Sequence, residues 1–100
     1  MAVQAVLSND GRAKVLRVDG RFDFNMHREF REAYQDDPPG LAYEVDLADA
    51  EYLDSSALGM LLLLREHAGG DGARVRLRGC RPEVRRILEI ANFHELFDIA

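Results

Sequence analysis

The sequence is short of hydroxyls. Its 100 residues hold three serines (Ser8, Ser55, Ser56) and no threonine, so chemistry that needs an aliphatic hydroxyl has three candidate atoms, two of them adjacent. One cysteine, Cys80, excludes an internal disulfide and a cysteine-based zinc site, and it points to a reducing, cytoplasmic setting. The three histidines (His27, His67, His94) stand at no metal-ligand spacing. The longest apolar run, Ala57 to Leu64, is eight residues, against the roughly 20 that span a bilayer. The start of the chain lacks the charged and apolar regions of a signal peptide. No Gly-x-Ser-x-Gly elbow supports a serine hydrolase, and no phosphate-binding glycine loop supports a nucleotide site.

What is present fits a soluble globular protein, read as a single domain over residues 1–100. There are 13 basic and 18 acidic residues, for a net charge of −5, with 47% hydrophobic residues. That balance argues against nucleic acid as the partner. Six arginines (Arg74, Arg76, Arg78, Arg81, Arg85, Arg86) do cluster, but no aromatic platform lies between them. They read as a solvated strand face and helix surface, with steering of a protein partner as the alternative.

Residues 2–7 and 13–18 form two β-branched and apolar runs around Asp10-Gly11, which predicts an antiparallel hairpin. Gly20 and Asp23 then break the pattern. Met26, Phe30, Ala33 and Tyr34 share one helical face, with Asp23 or Asn25 as its cap. Pro38-Pro39 ends that helix. Leu41 to Leu47 alternates as a strand, and Asp54-Ser55-Ser56 opens a helix that runs to about His67. Gly69-Gly70 supplies its left-handed stop. Residues 73–78 alternate strictly, with the arginines on one face. Pro82 starts a last helix with an apolar stripe of Val84, Ile87, Leu88 and Ala91. Phe93, Leu96, Phe97 and Ile99 form a short apolar tail, strand or helical turn. The order β-β-α-β-α-β-α predicts an α/β fold with a mixed sheet: a hairpin, then β-α units in parallel, with the helices mainly on one face and the arginines on the other.

The chemistry concentrates at residues 46–59. A strand ends, a loop turns, and two serines sit at the start of an apolar helix, where free N–H groups and the helix dipole tolerate an anion. Residues 36–54 hold seven acids (Asp36, Asp37, Glu44, Asp46, Asp49, Glu51, Asp54) and no base. A phosphate on serine here deepens a negative surface and alters any interface that covers it. On spacing alone, Asp54, Ser55 and Ser56 are a helix cap. Ser56 reads as a helix residue hydrogen-bonded to backbone, and Ser8 as a hairpin residue. His27 and His67 read as solvated helix residues, and His94 as a loop residue. Met60 and the exposed part of Leu61 to Leu64 offer an apolar patch beside Ser55. A phospho-aspartate receiver is a look-alike, with Asp46 near a strand end. Receivers depend on a late lysine and Ser/Thr, and the one lysine, Lys14, lies in an early strand.

The segment Asp54-Ser55-Ser56-Ala57-Leu58-Gly59, with Gly20-Arg21-Phe22-Asp23 before it and Pro82-Glu83-Val84-Arg85-Arg86-Ile87-Leu88 after it, resembles the STAS domain of bacterial anti-sigma factor antagonists. The likeness extends to Phe93-His94-Glu95-Leu96-Phe97 and so spans nearly the whole chain. It implies a STAS-like fold, no enzymatic activity and no cofactor. It implies that Ser55 is the phosphoacceptor, with Asp23 an acidic residue near it. The implied partner surface comprises Asp23, Asp54, Ser55, Ser56, Ala57, Leu58, Gly59 and Met60. The implied partners are an anti-sigma factor, often one with a kinase fold, and a serine phosphatase. Unphosphorylated, such a domain sequesters the anti-sigma factor and frees the sigma factor; phosphorylation ends the binding. Related domains serve other switches, so a partner outside a sigma pathway is the alternative. The chain departs from the family pattern at Ala57, where glycine is common, and at Arg81, where a capping serine is common.

Overall fold

The computed structural model describes residues 2–100. The elements run β1 (Val3–Leu7), β2 (Ala13–Phe22), α1 (His27–Glu32), β3 (Ala42–Leu53), α2 (Ser55–Ala68), β4 (Val75–Arg78), α3 (Pro82–Ile90) and β5 (Asp98–Ile99). Short 3-10 turns cover Phe24–Met26, Gly70–Gly72 and Phe93–Glu95. The strands lie in the sheet in chain order, β1-β2-β3-β4-β5. β1 and β2 are antiparallel, and every later neighbour is parallel. Because the strand order never reverses, right-handed crossovers place the helices on the same face. Alternation in the strands serves that face: Leu16 and Val18, Tyr43, Val45 and Leu47, and Val75 and Leu77 are buried, while Arg17, Arg76 and Arg78 are exposed on the other face.

The sequence-based order of elements is observed, with three differences in extent. β2 does not stop at Gly20. It runs on to Phe22 through two register shifts, and Gly20 supplies a φ of 90° there. β3 continues from Leu47 to Leu53, alongside the longer β2. α1 is short, and its predicted length is shared with the turn at Phe24–Met26 that Asp23 caps. α2 ends as predicted at Gly69, with a φ of 126°, and Arg81 gives α3 no side-chain cap.

The acid-rich stretch is less negative in space than in sequence. Asp37 meets Lys14 at 2.9 Å, Asp46 meets Arg78 at 3.0 Å and Arg17 at 3.5 Å, and Glu44 meets Arg78 at 3.2 Å. Parallel pairing causes the contacts of Glu44 and Asp46, which stand in register with Arg76 and Arg78. His67 also departs from expectation. It is half-buried, with its ring 5.1 Å from Tyr34 and its Nε2 3.3 Å from the Asp37 carbonyl oxygen. The Asp37 carbonyl and the Tyr34 ring thus cover His67 near the end of α2.

The Tyr43 hydroxyl donates to Asp37 Oδ2 at 2.9 Å, and burial together with that carboxylate pushes its ionisation up. The ionised form is therefore disfavoured in the folded state. A raised folded value leaves stability intact below the unfolded tyrosine value near about 10 and removes it as pH climbs beyond. The urea midpoint is expected to fall above that pH. Tyr43→Phe is expected to flatten part of the fall, with Tyr34, also raised by burial, keeping the remainder. An unchanged alkaline slope in Tyr43→Phe would remove Tyr43 as its source.

Candidate functional site

β2 and β3 end side by side, with Phe22 in register with Leu53. Asp23 and Asp54 therefore leave the same edge of the sheet, the edge formed by the C-terminal ends of the parallel strands, where open α/β sheets place their sites. The Asp54 N–H donates to the Phe22 carbonyl at 3.4 Å and ties the two exits together. Both aspartates cap. Asp23 Oδ1 accepts from the Asn25 N–H at 3.0 Å, and Asp54 Oδ1 accepts from the Ala57 N–H at 2.9 Å.

That capping arrangement defines the position of Ser55. It is the first residue of α2, exposed, and its hydroxyl makes no hydrogen bond among the described residues. The N–H groups of Ser55 and Ser56 are left free by the cap and, with the helix dipole, offset part of an added negative charge. Ser56 is half-buried, and its hydroxyl makes no hydrogen bond either, contrary to the sequence reading. Asp54 already holds the first-turn donor that such a hydroxyl competes for.

The other predicted contact residues divide by helical phase. Ala57 is fully buried and Met60 is 3% exposed. Both belong to the core, with Leu61, Leu64 and Ala68 on the same face, so neither offers a surface to a partner. Leu58 is half-buried. Gly59 is exposed, and a Cβ built on it meets nothing within 4 Å. Ser55, Gly59, Leu62 and Glu66 recur at i, i+4, i+7 and i+11 and form the outer stripe of α2. Leu62 and Leu63 are exposed on that side, and they, rather than Met60, are its apolar content. The 3.6-residue phase set by the buried residues was the signal for this.

Two further residues escaped the sequence reading. Phe24 is 69% exposed directly after Asp23, and Tyr52 is exposed two residues before Asp54. The Arg21 guanidinium lies 4.5 Å above the Tyr52 ring, and its Nε is 3.7 Å from Asp23 Oδ2. Aromatics beside both capping aspartates were the available signal. The edge thus combines two carboxylates, one arginine, two exposed rings and a free hydroxyl. A surface hollow of about 520 Å³ is lined by residues at the strand starts, among them Ala13, Ala42, Ala73 and Arg74, at the opposite end of the parallel strands from Ser55. The surface around Ser55 suits a macromolecular partner better than an enclosed substrate. No helix among the described residues is long and apolar enough to cross a membrane.

Comparison with known proteins agrees with this geometry. A family model described as "Mlab, STAS domain" matches residues 5–98. A STAS-domain containing protein of Pseudomonas aeruginosa (strain UCBPP-PA14) is 54% identical over 101 residues, spanning 100% of both chains. Among solved structures, the anti-sigma factor antagonist SpoIIAA in its unphosphorylated form has the same fold, with a TM-score of 0.79 at 18% identity over 99% of this chain and 88% of that one. The Bacillus cell fate determinant SpoIIAA in its phosphorylated form matches with a TM-score of 0.68 at 17% identity over 99% and 91%. With an exposed serine at the start of α2, two capping aspartates at one sheet edge and a family match over nearly all its length, the chain belongs to the STAS domain family and has the fold of the anti-sigma factor antagonists.

Proposed function

We propose that residues 1–100 act as a single STAS domain that serves as an anti-sigma factor antagonist in the cytoplasm. Unphosphorylated, it sequesters an anti-sigma factor and thereby frees a sigma factor; phosphorylation of Ser55 ends the binding, and a serine phosphatase restores it. The domain has no catalytic activity of its own, takes no cofactor, and uses no nucleic acid or membrane. The observation that carries this reading is the free hydroxyl of Ser55 at the exposed first position of α2, inside the Asp54-Ser55-Ser56 element. A serine kinase reaches it without unfolding the helix, because Asp54 and not Ser55 supplies the cap.

The contact surface on this reading is Asp23, Asp54, Ser55, Ser56, Leu58 and Gly59, joined by Phe24, Tyr52 and Leu62. Leu62→Ser is expected to weaken partner capture about tenfold and to lower the melting temperature by only a few degrees, since Leu62 is 38% exposed and lies outside the core. Capture unchanged by Leu62→Ser would remove Leu62 from the interface.

Intact mass after incubation with the cognate kinase and ATP tests the modification. Wild type is expected to gain one phosphate and Ser55→Ala none; a phosphate on Ser55→Ala would reassign the site. A second reading keeps the switch but replaces the anti-sigma factor with another signalling protein. It is favoured by the description of the matching family model, which names Mlab and no sigma pathway. Identification of the captured protein separates the two.

A further inference from the structure

The sheet has an open edge at β1. No side chain from Val3 to Leu7 is charged, and Val6 and Leu7 are 63% and 53% exposed. The bonds Asp19 N–H to Ala2 carbonyl and Ser8 N–H to Ala13 carbonyl, both 2.8 Å, fix the phase of the strand. Even-numbered residues turn their backbone groups toward β2, so Val3, Ala5 and Leu7 turn theirs outward. The Val3 N–H is occupied by Glu29 Oε2 at 3.3 Å. The N–H and C=O groups of Ala5 and Leu7 that face outward have no partner among the described residues. Edge strands are ordinarily guarded by lysine, proline or a bulge, and this one is guarded only at its Val3 end.

We propose that β1 pairs antiparallel with β1 of a second copy of this chain, about a two-fold axis through Val6. The free groups select that occupant and that register. With Val6 facing its counterpart, Ala5 of each copy faces Leu7 of the other, and these are the pairs that exchange hydrogen bonds. Every outward group of Ala5 and Leu7 is then satisfied on both copies, and the Val3–Glu29 contact is undisturbed. The two Val6 side chains meet at the closely spaced position of the ladder, on the face that carries no helix. A register centred on Ala5 sets Val3 against Leu7 and expels Glu29. A neutral strand pairs with itself without like-charge repulsion, which a charged edge does not. The contact is small, so the dimer is concentration-dependent rather than permanent. β2 separates this edge from β3 and α2, so dimerisation leaves Ser55 accessible and is independent of its role.

Sedimentation velocity of the full chain up to about 1 mM tests this, a range suited to small interfaces. Wild type is expected to pass from monomer to dimer as concentration rises. Val6→Lys and Val6→Glu, each alone, are expected to dimerise on the order of tenfold more weakly or worse, because like charges stand directly opposite. Mixing the two is expected to restore a heterodimer. Circular dichroism of each variant confirms that the fold is retained, and amide exchange reports whether Ala5 and Leu7 become protected as the dimer forms. A wild type that stays monomeric throughout would overturn the proposal. So would a mixture no tighter than its components, or a dimer whose Ala5 and Leu7 amides stay unprotected.

Discussion

Ser55→Asp is expected to lower affinity for the anti-sigma partner by on the order of 100-fold, about 3 kcal/mol, while Ser55→Ala binds like wild type. The added carboxylate arrives at an edge that already holds Asp23 and Asp54, of which, among the described residues, only Asp23 has a basic neighbour, Arg21 at 3.7 Å. In the free protein water solvates the new charge, and the free N–H groups of the first turn favour it. A carboxylate at that position therefore changes stability by about 1 kcal/mol or less, and in the stabilising direction. In the complex the partner excludes that water, and the repulsion and desolvation cost fall on the interface. Binding and folding thus move apart. Calorimetric titration and thermal melting of the same two variants check it, and a Ser55→Asp protein that binds as tightly as Ser55→Ala would remove charge as the switch.

Gly79→Ala is expected to cost about 2–4 kcal/mol, the largest effect of any glycine-to-alanine change in the chain, since no other glycine has so close a neighbour. Gly79 has a φ of 74°, a conformation that strains a side chain. A Cβ there would lie 3.1 Å from the Ala48 Cβ and 3.2 Å from its backbone nitrogen. Ala48 has little room to give. Its N–H donates to Asp46 Oδ1 at 3.0 Å, and its carbonyl accepts from Arg81 Nε at 3.4 Å. For a domain of this size the loss lowers the melting temperature by on the order of 10–25 °C. Gly59→Ala is the contrast: its backbone is helical and the space around it is open, so helix propensity predicts a gain of about 0.5–1 kcal/mol. Thermal melts of the pair check both signs. A tolerated Gly79→Ala would mean that the exit of β4 does not press against β3 at Ala48 as described.

The elements that read clearly from sequence were those with local causes. Asp10-Gly11 set the hairpin, Asp54 set the start of α2, Gly69 set its end, and strict alternation set β4. What did not read was set by neighbours distant in sequence. β2 and β3 lengthened together because each gives the other its hydrogen bonds, a fact that neither Gly20 nor the Leu47–Leu53 stretch shows alone. The acidic run looked like one negative surface until parallel pairing brought Arg17 and Arg78 to Glu44 and Asp46, and the segment after α1 brought Asp37 to Lys14. The site was legible to the extent that it is a cap: Asp23, Asp54 and Ser55 stand at one edge as expected. Its surface was less so. Ala57 and Met60 fall inside the phase of the buried face, and Leu62, Phe24 and Tyr52 fall outside it.

The partner-switching role is tested most directly by reconstitution. A preformed complex of anti-sigma factor and sigma factor is titrated with the unphosphorylated chain, then with the chain phosphorylated at Ser55, and free sigma factor is measured. Stoichiometric release by the first and none by the second is the expected result. Equal release by both forms, or release by neither while the chain binds some other protein, would contradict it.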